Sequence, residues 1–148
     1  MQFDKELRDI RTVAIAGHVR PDGDSTGACI GLWNYIRDNF PQIQADIWLE
    51  KPDEKFAILA GYEEIRQAGE EKEAYDLFVA VDCAAYDRLG DAKAYFDCAG
   101  KTICVDHHIS NAGYAQVNII EPDASSTCEV LCGMMNPENI SEKTAAAL

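Results

Sequence analysis

The chain has 148 residues and a formal charge of −13, with 26 Asp plus Glu against 13 Lys plus Arg. That length fits one domain able to bury its own core, and an apolar share of 47% excludes a disordered chain. The acidity argues against binding to long nucleic acid, which depends on many Lys and Arg contacts to phosphate. Short phosphorylated ligands stay open wherever cations supply the positive charge locally. No apolar run nears the roughly 20 residues of a membrane span, so no membrane partner is expected. The start, Met1-Gln2-Phe3-Asp4-Lys5-Glu6, lacks a basic leader before an apolar stretch, which sets the expectation of a cytoplasmic protein.

Thr12 to Gly17 is a short apolar, β-branched run and reads as a buried strand. Asp24 or Ser25 then offers a cap for a helix over Thr26 to Asn39, which carries Ala28, Ile30, Leu32, Tyr35 and Ile36 at helical spacing and closes before Pro41. Ala45 to Leu49 reads as a second strand, and Lys55 to Ala60 as a short helix ended by Gly61. Ala68 to Glu73 is polar and reads as a surface connection. Asp76 to Asp82 is the clearest strand, continuous and apolar until its terminal acid. Ala92 to Phe96 is weakly helical, Lys101 to Asp106 is another strand ending in an acid, and Ala115 to Ile120 is a fifth. Ser126-Thr127-Cys128-Glu129 matches a capping box for a helix reaching about Met135, and Ser141 opens a last helix in which the sequence stops.

Continuous apolar strands alternating with helices predict an α/β fold with a mainly parallel, five-stranded sheet and helices on both faces. The six cysteines include no C-x-x-C pair, so most of them read as small buried hydrophobes rather than a zinc or redox site.

All three histidines fall in two carboxylate-rich segments placed after strands: His18 with Asp22 and Asp24, and His107 and His108 with Asp106. Asp82 closes a third strand between them. In parallel sheets ligands bind beyond the carboxyl ends of the strands, so topology gathers these residues on one edge. Hard divalent cations take carboxylate oxygens with some imidazole, and two such cations suit in-line displacement at phosphorus. Each segment also has a plainer reading. Pro21-Asp22-Gly23-Asp24 is an ordinary turn, Asp24 serves equally as a helix cap, and paired histidines occur in solvated loops. Asp82 is harder to explain away, because a carboxylate ending a buried strand needs a partner.

With those residues in view, the chain resembles the DHH phosphoesterase family through three motifs: GHVRPDGDSTG at 17–27, VAVDCAAYDRLG at 79–90 and VDHH at 105–108. The wording of the first is most similar to the bacterial nanoRNase/pAp phosphatase group. The resemblance implies that His18, Asp22 and Asp82 hold one Mn²⁺ while Asp24, Asp82 and His107 hold a second, with Mg²⁺ as the other candidate ion. It further implies that His108 faces the scissile phosphate and that Asp106 orients the imidazoles. Arg20 and Arg88 are then candidate phosphate contacts, each equally readable as a plain surface residue.

The implied activity is hydrolysis of short RNA oligonucleotides and 3′-phosphoadenosine 5′-phosphate (pAp) to nucleoside 5′-monophosphates. The family's fourth motif and C-terminal substrate lobe find no match before Leu148. Residues 1–148 therefore read as the N-terminal domain of a longer, two-domain protein with little activity alone, and a homodimer is compatible with that reading. The alternatives are another DHH enzyme, acting on cyclic dinucleotides, pApA or pyrophosphate, and a non-catalytic nucleotide-binding module. A further reading takes the motifs as mere turns and caps in a generic doubly wound domain.

Overall fold

A computed structural model describes residues 2–69 and 74–148. Part of the polar connection expected over Ala68 to Glu73, residues 70–73, lies outside the described residues. The strands are β1 (Thr12–Ala16), β2 (Gln44–Trp48), β3 (Ile65–Arg66), β4 (Leu77–Val81), β5 (Lys101–Asp106) and β6 (Val117–Ile120). The α-helices are α1 (Gly23–Asn39), α2 (Lys93–Cys98), α3 (Thr127–Met134) and α4 (Glu142–Ala147).

All strand pairings are parallel, in the order β3-β2-β1-β4-β5-β6. The sheet thus has six strands rather than the expected five. The extra one, β3, is a two-residue edge strand beside β2 and is too short to carry any periodicity.

Period-two alternation splits the strands between two cores. Val13, Ile15, Ile47, Val79, Val81, Ile103 and Val105 join the apolar residues of α1 and α3 on one face. Ala14, Ala16, Trp48, Phe78, Ala80 and Cys104 join Tyr95 of α2 on the other. The alanines of that second face leave room for aromatics, and Trp48 stacks on Tyr95 at 4.4 Å between ring centroids.

Several local elements differ from expectation in extent. Residues Glu54–Ile58 form a 3₁₀ turn capped by Asp53, not an α-helix. Tyr86–Ala92 is 3₁₀ in character but broken by a kink at Gly90, and the helical stretch expected from Ala92 begins at Lys93. A further 3₁₀ turn at Phe3–Leu7 has no counterpart in the sequence reading.

The cap of α1 is Asp22, not Asp24 or Ser25. Its backbone is extended (φ −94°, ψ −168°) and its carboxylate accepts the Ser25 N–H. The Pro-Asp-Gly turn supplies that geometry one step earlier than the apolar pattern begins. At α3, Ser126 Oγ accepts the Glu129 N–H as a capping box requires. The Glu129 carboxylate, however, accepts from Ser125 N and Ser125 Oγ, each at 2.7 Å, so the return bond is shifted by one residue.

Chain order places β2 and β3 on one side of β1, and β4, β5 and β6 on the other. The strand order therefore reverses between β1 and β4, and the crevice there is the expected ligand position in a doubly wound sheet. Two loops meet at this point. Val19 N donates to Arg88 O at 2.8 Å, and Gly90 (φ +58°) lies so close that a Cβ would come within 2.7 Å of Val19 Cγ1. Only glycine fits that position.

Candidate metal centre

Asp82 follows the last residue of β4, buried, with a left-handed backbone (φ +53°). Such a conformation is strained for a residue with a side chain and persists where surrounding contacts hold it. Here Asp82 N donates to Val105 O at 3.0 Å, tying the turn to β5. Its carboxylate stands between two histidine-bearing loops. Oδ2 lies 3.5 Å from His18 Nε2, while Oδ1 lies 3.7 Å from His107 Nε2 and accepts the Thr127 hydroxyl at 3.0 Å. Burial pushes its pKa up, opposed by the neighbouring His18.

Both imidazoles are oriented from behind. His18 Nδ1 donates to Val19 O at 2.7 Å, and His107 Nδ1 donates to Ala124 O at 3.3 Å. Each ring thus carries its proton on Nδ1 and turns Nε2 towards Asp82, which is the tautomer that ligates a cation. Because His18 Nδ1 is a donor, the Arg88 Nη2 at 3.5 Å from it is a close neighbour rather than a hydrogen-bond partner. Asp82 beside Nε2 holds the His18 pKa above its ordinary value, against the opposing effect of burial.

Asp22 is mostly exposed, and its Oδ1 lies 3.6 Å from His18 Nε2. Asp24 does not cap its own helix. Its Oδ2 accepts Thr127 N at 2.9 Å and its Oδ1 accepts Cys128 N at 3.0 Å, so it caps α3 from a distance. Burial works against its charge, but hydrogen bonding, led by those two N–H groups and joined by the Cys128 and Asp82 side chains, draws its pKa below the usual carboxylate value. His107 Nε2 lies 3.4 Å from the same Oδ2.

The buried Asp106 keeps its carboxylate fully engaged. Oδ1 accepts His107 N at 2.8 Å and His108 Nδ1 at 2.7 Å, and Oδ2 accepts Asn111 Nδ2 at 2.8 Å. Asn111 cannot be turned over, because its Oδ1 accepts Gly113 N at 2.9 Å. His108 therefore presents Nε2 outward, on a ring partly open to solvent.

His18, Asp22 and Asp82 bring ligand atoms within 4.8 Å of one another, and so do Asp82, His107 and His108. Asp82 belongs to both groups. The second contains His108 where the family resemblance expects Asp24. Arg88 is exposed beside His18, and Arg20 is exposed in a left-handed backbone (φ +52°), its N–H donating to Glu50 Oε1 at 3.3 Å.

Asn111 and the carbonyls of Val19 and Ala124 carry no signal in the sequence beyond the closeness of Asn111 to the paired histidines, and Thr127 lies in the capping box Ser126-Thr127-Cys128-Glu129, whose sequence assigns it no part in the site.

The donor set suits a hard divalent cation, being imidazole nitrogen and carboxylate oxygen. One further observation fits. Asp82 Oδ2 is buried and has no hydrogen-bond partner among the described residues, an arrangement that is costly for a carboxylate unless a cation or proton meets it. A cavity of about 400 Å³ opens beside this centre, with His18, Trp48, Glu50, Gln67 and Asp91 on its wall.

The chain is 25% identical over 122 residues to the Bacillus subtilis bifunctional oligoribonuclease and PAP phosphatase NrnA, covering 81% of the chain and 36% of that protein. It is 27% identical over 145 residues to the probable Streptococcus mutans counterpart, covering 97% of the chain and 45% of that protein. The chain thus spans under half the length of these curated relatives. An exopolyphosphatase-related protein from Bacteroides fragilis shares the fold, with a TM-score of 0.85 at 22% identity, over 98% of this chain and 46% of that one. The model of the DHH family, N-terminal domain, matches residues 12–148, and the chain belongs to that family.

Proposed function

We propose that this domain is the metal-binding part of a phosphoesterase that hydrolyses short RNA oligonucleotides and pAp to nucleoside 5′-monophosphates. The observation that carries the reading is Asp82, with a buried, unpartnered Oδ2 and two imidazoles turned towards its carboxylate. The activity named for the NrnA relatives supplies the substrate class.

In this reading His18, Asp22 and Asp82 hold one Mn²⁺, and Asp24, Asp82 and His107 hold the other, with Mg²⁺ able to take the same donors. Bound cations of this kind activate water and offset the charge that builds up on phosphate oxygens. The chain's own residues do the rest. Asp106 holds the proton on His108 Nδ1, which leaves Nε2 to exchange a proton with a phosphate or leaving oxygen. The Arg88 guanidinium, exposed next to His18, meets a phosphate oxygen, and Arg20 on the adjoining turn adds a second positive charge. On a chain of charge −13 these few cationic groups steer an anionic substrate that the rest of the surface repels.

The test is product analysis with Mn²⁺ on a panel of pAp, a ribodinucleotide, cyclic di-AMP and pyrophosphate. Release of mononucleotides from the first two, lost in Asp82→Ala, is the expected result. Hydrolysis confined to the last two would overturn the substrate assignment.

A further inference from the structure

We propose that Thr127 is a positioning residue that fixes Asp24 and Asp82 relative to each other, so that the start of α3 forms a rigid backing for the cation site. The inference rests on the metal reading above.

Thr127 is fully buried and touches both carboxylates at once. Its hydroxyl donates to Asp82 Oδ1 at 3.0 Å, and its backbone N–H donates to Asp24 Oδ2 at 2.9 Å. Cys128 N takes the other oxygen of Asp24 at 3.0 Å, and Ser126 Oγ takes the Glu129 N–H. The free N–H groups of the first turn of α3 are thereby shared between the helix's own cap and a carboxylate from α1. The bonds to Asp24 and Asp82 come in addition to the helix's own cap, which Ser126 supplies.

The hydroxyl has a specific consequence for Asp82. A hydroxyl carries one proton, and giving it to Oδ1 selects which oxygen faces α3. Oδ2 is then left towards His18, without a partner. The carboxylate extends from a left-handed backbone just beyond the end of β4. Thr127 constrains that carboxylate, and it couples Asp82, just after β4, to Asp24 of α1 through one side chain and one peptide group.

Two substitutions separate the hydroxyl from the packing of its methyl group. Thr127→Val keeps the shape and the backbone N–H but removes the donor, and Thr127→Ser keeps the donor and removes the methyl. Mn²⁺ affinity, read by calorimetry or by the spin-resonance signal of free Mn²⁺, should fall about 10-fold or more in Thr127→Val and stay within about twofold in Thr127→Ser, as for groups that orient metal ligands from behind. Equal losses in both variants would assign the effect to packing and overturn the inference, as would unchanged affinity in Thr127→Val. Absence of Mn²⁺ uptake by the unsubstituted chain would instead overturn the metal reading on which the inference stands.

Discussion

His18 and His107, brought from loops after β1 and β5, turn their Nε2 atoms towards opposite oxygens of the same Asp82 carboxylate, at 3.5 and 3.7 Å. Each ring is locked by its Nδ1 proton on a backbone carbonyl, so both lone pairs converge without any rearrangement of the imidazoles. Preorganisation of this kind spares the site the entropic cost of gathering ligands when a cation arrives.

In the proposed reading Asp82 would serve cation binding at the expense of the metal-free fold. A buried carboxylate whose pKa is raised is less favourable when ionised than it is in the unfolded chain. Asp82→Asn keeps an oxygen to accept the Thr127 proton and removes the charge. Metal-free Asp82→Asn should melt at or above the temperature of the parent chain while losing Mn²⁺ uptake. A lower melting temperature, measured by circular dichroism in chelator, would show the charge to be stabilising.

The His18 pKa is raised, chiefly by Asp82, from an ordinary value of 6.5. A raised histidine pKa stabilises the fold fully below pH 6.5, and that contribution disappears as pH rises through the higher folded value. Cation binding has the opposite dependence, because it requires the neutral ring. Metal-free stability should therefore fall, and Mn²⁺ affinity should rise, as pH is taken from 6 to 8. Denaturant titrations and calorimetry across that range test both signs. A His18→Gln variant should show a smaller change in each.

His108 differs from His107 in what stands behind it, a buried carboxylate rather than a carbonyl. That backing suits a group exchanging protons. His108→Ala should lower kcat by roughly 10² to 10⁴, the usual contribution of a proton-transferring side chain, while Mn²⁺ affinity changes little. A matching fall in Mn²⁺ affinity would move His108 into the ligand set, as its proximity to Asp82 and His107 allows.

Gly27 concerns the scaffold behind the site. A Cβ there would lie 2.4 Å from the Ala147 carbonyl oxygen, and one at Gly31 would lie 2.5 Å from Leu148 Cδ2. Helix α4 thus lies directly on the glycine face of α1. Gly27→Ala gains helix propensity but forces the two helices apart, with a net loss of about 1–3 kcal/mol typical of overpacking. Urea unfolding checks the sign; a stabilised variant would mean that α4 yields without cost.

The sheet was legible along the chain because its signals are local. Leu77–Val81 is apolar throughout and Ile103–Val105 forms the apolar centre of Lys101–Asp106, as expected of strands covered on both faces, and each strand is followed or closed by an acid. The three histidines grouped with acids likewise point to the kind of chemistry proposed, since donor types can be read without coordinates. Two-residue β3 left no trace, because pairing to β2 rather than its own pattern makes it a strand.

The roles of individual carboxylates depended on neighbours far away in the chain. Asp22 and Asp24 are both chemically able to cap α1. Asp22 takes that place, while Asp24 is engaged by Thr127 and Cys128 over a separation of more than 100 residues. Similarly, Asn111 becomes the partner of Asp106, and Thr127 that of Asp82, only once β4, β5 and α3 are packed together. Residue types and periodicity carry composition and local geometry, whereas the rotation of a buried side chain follows from which donors the fold happens to bring within 3 Å.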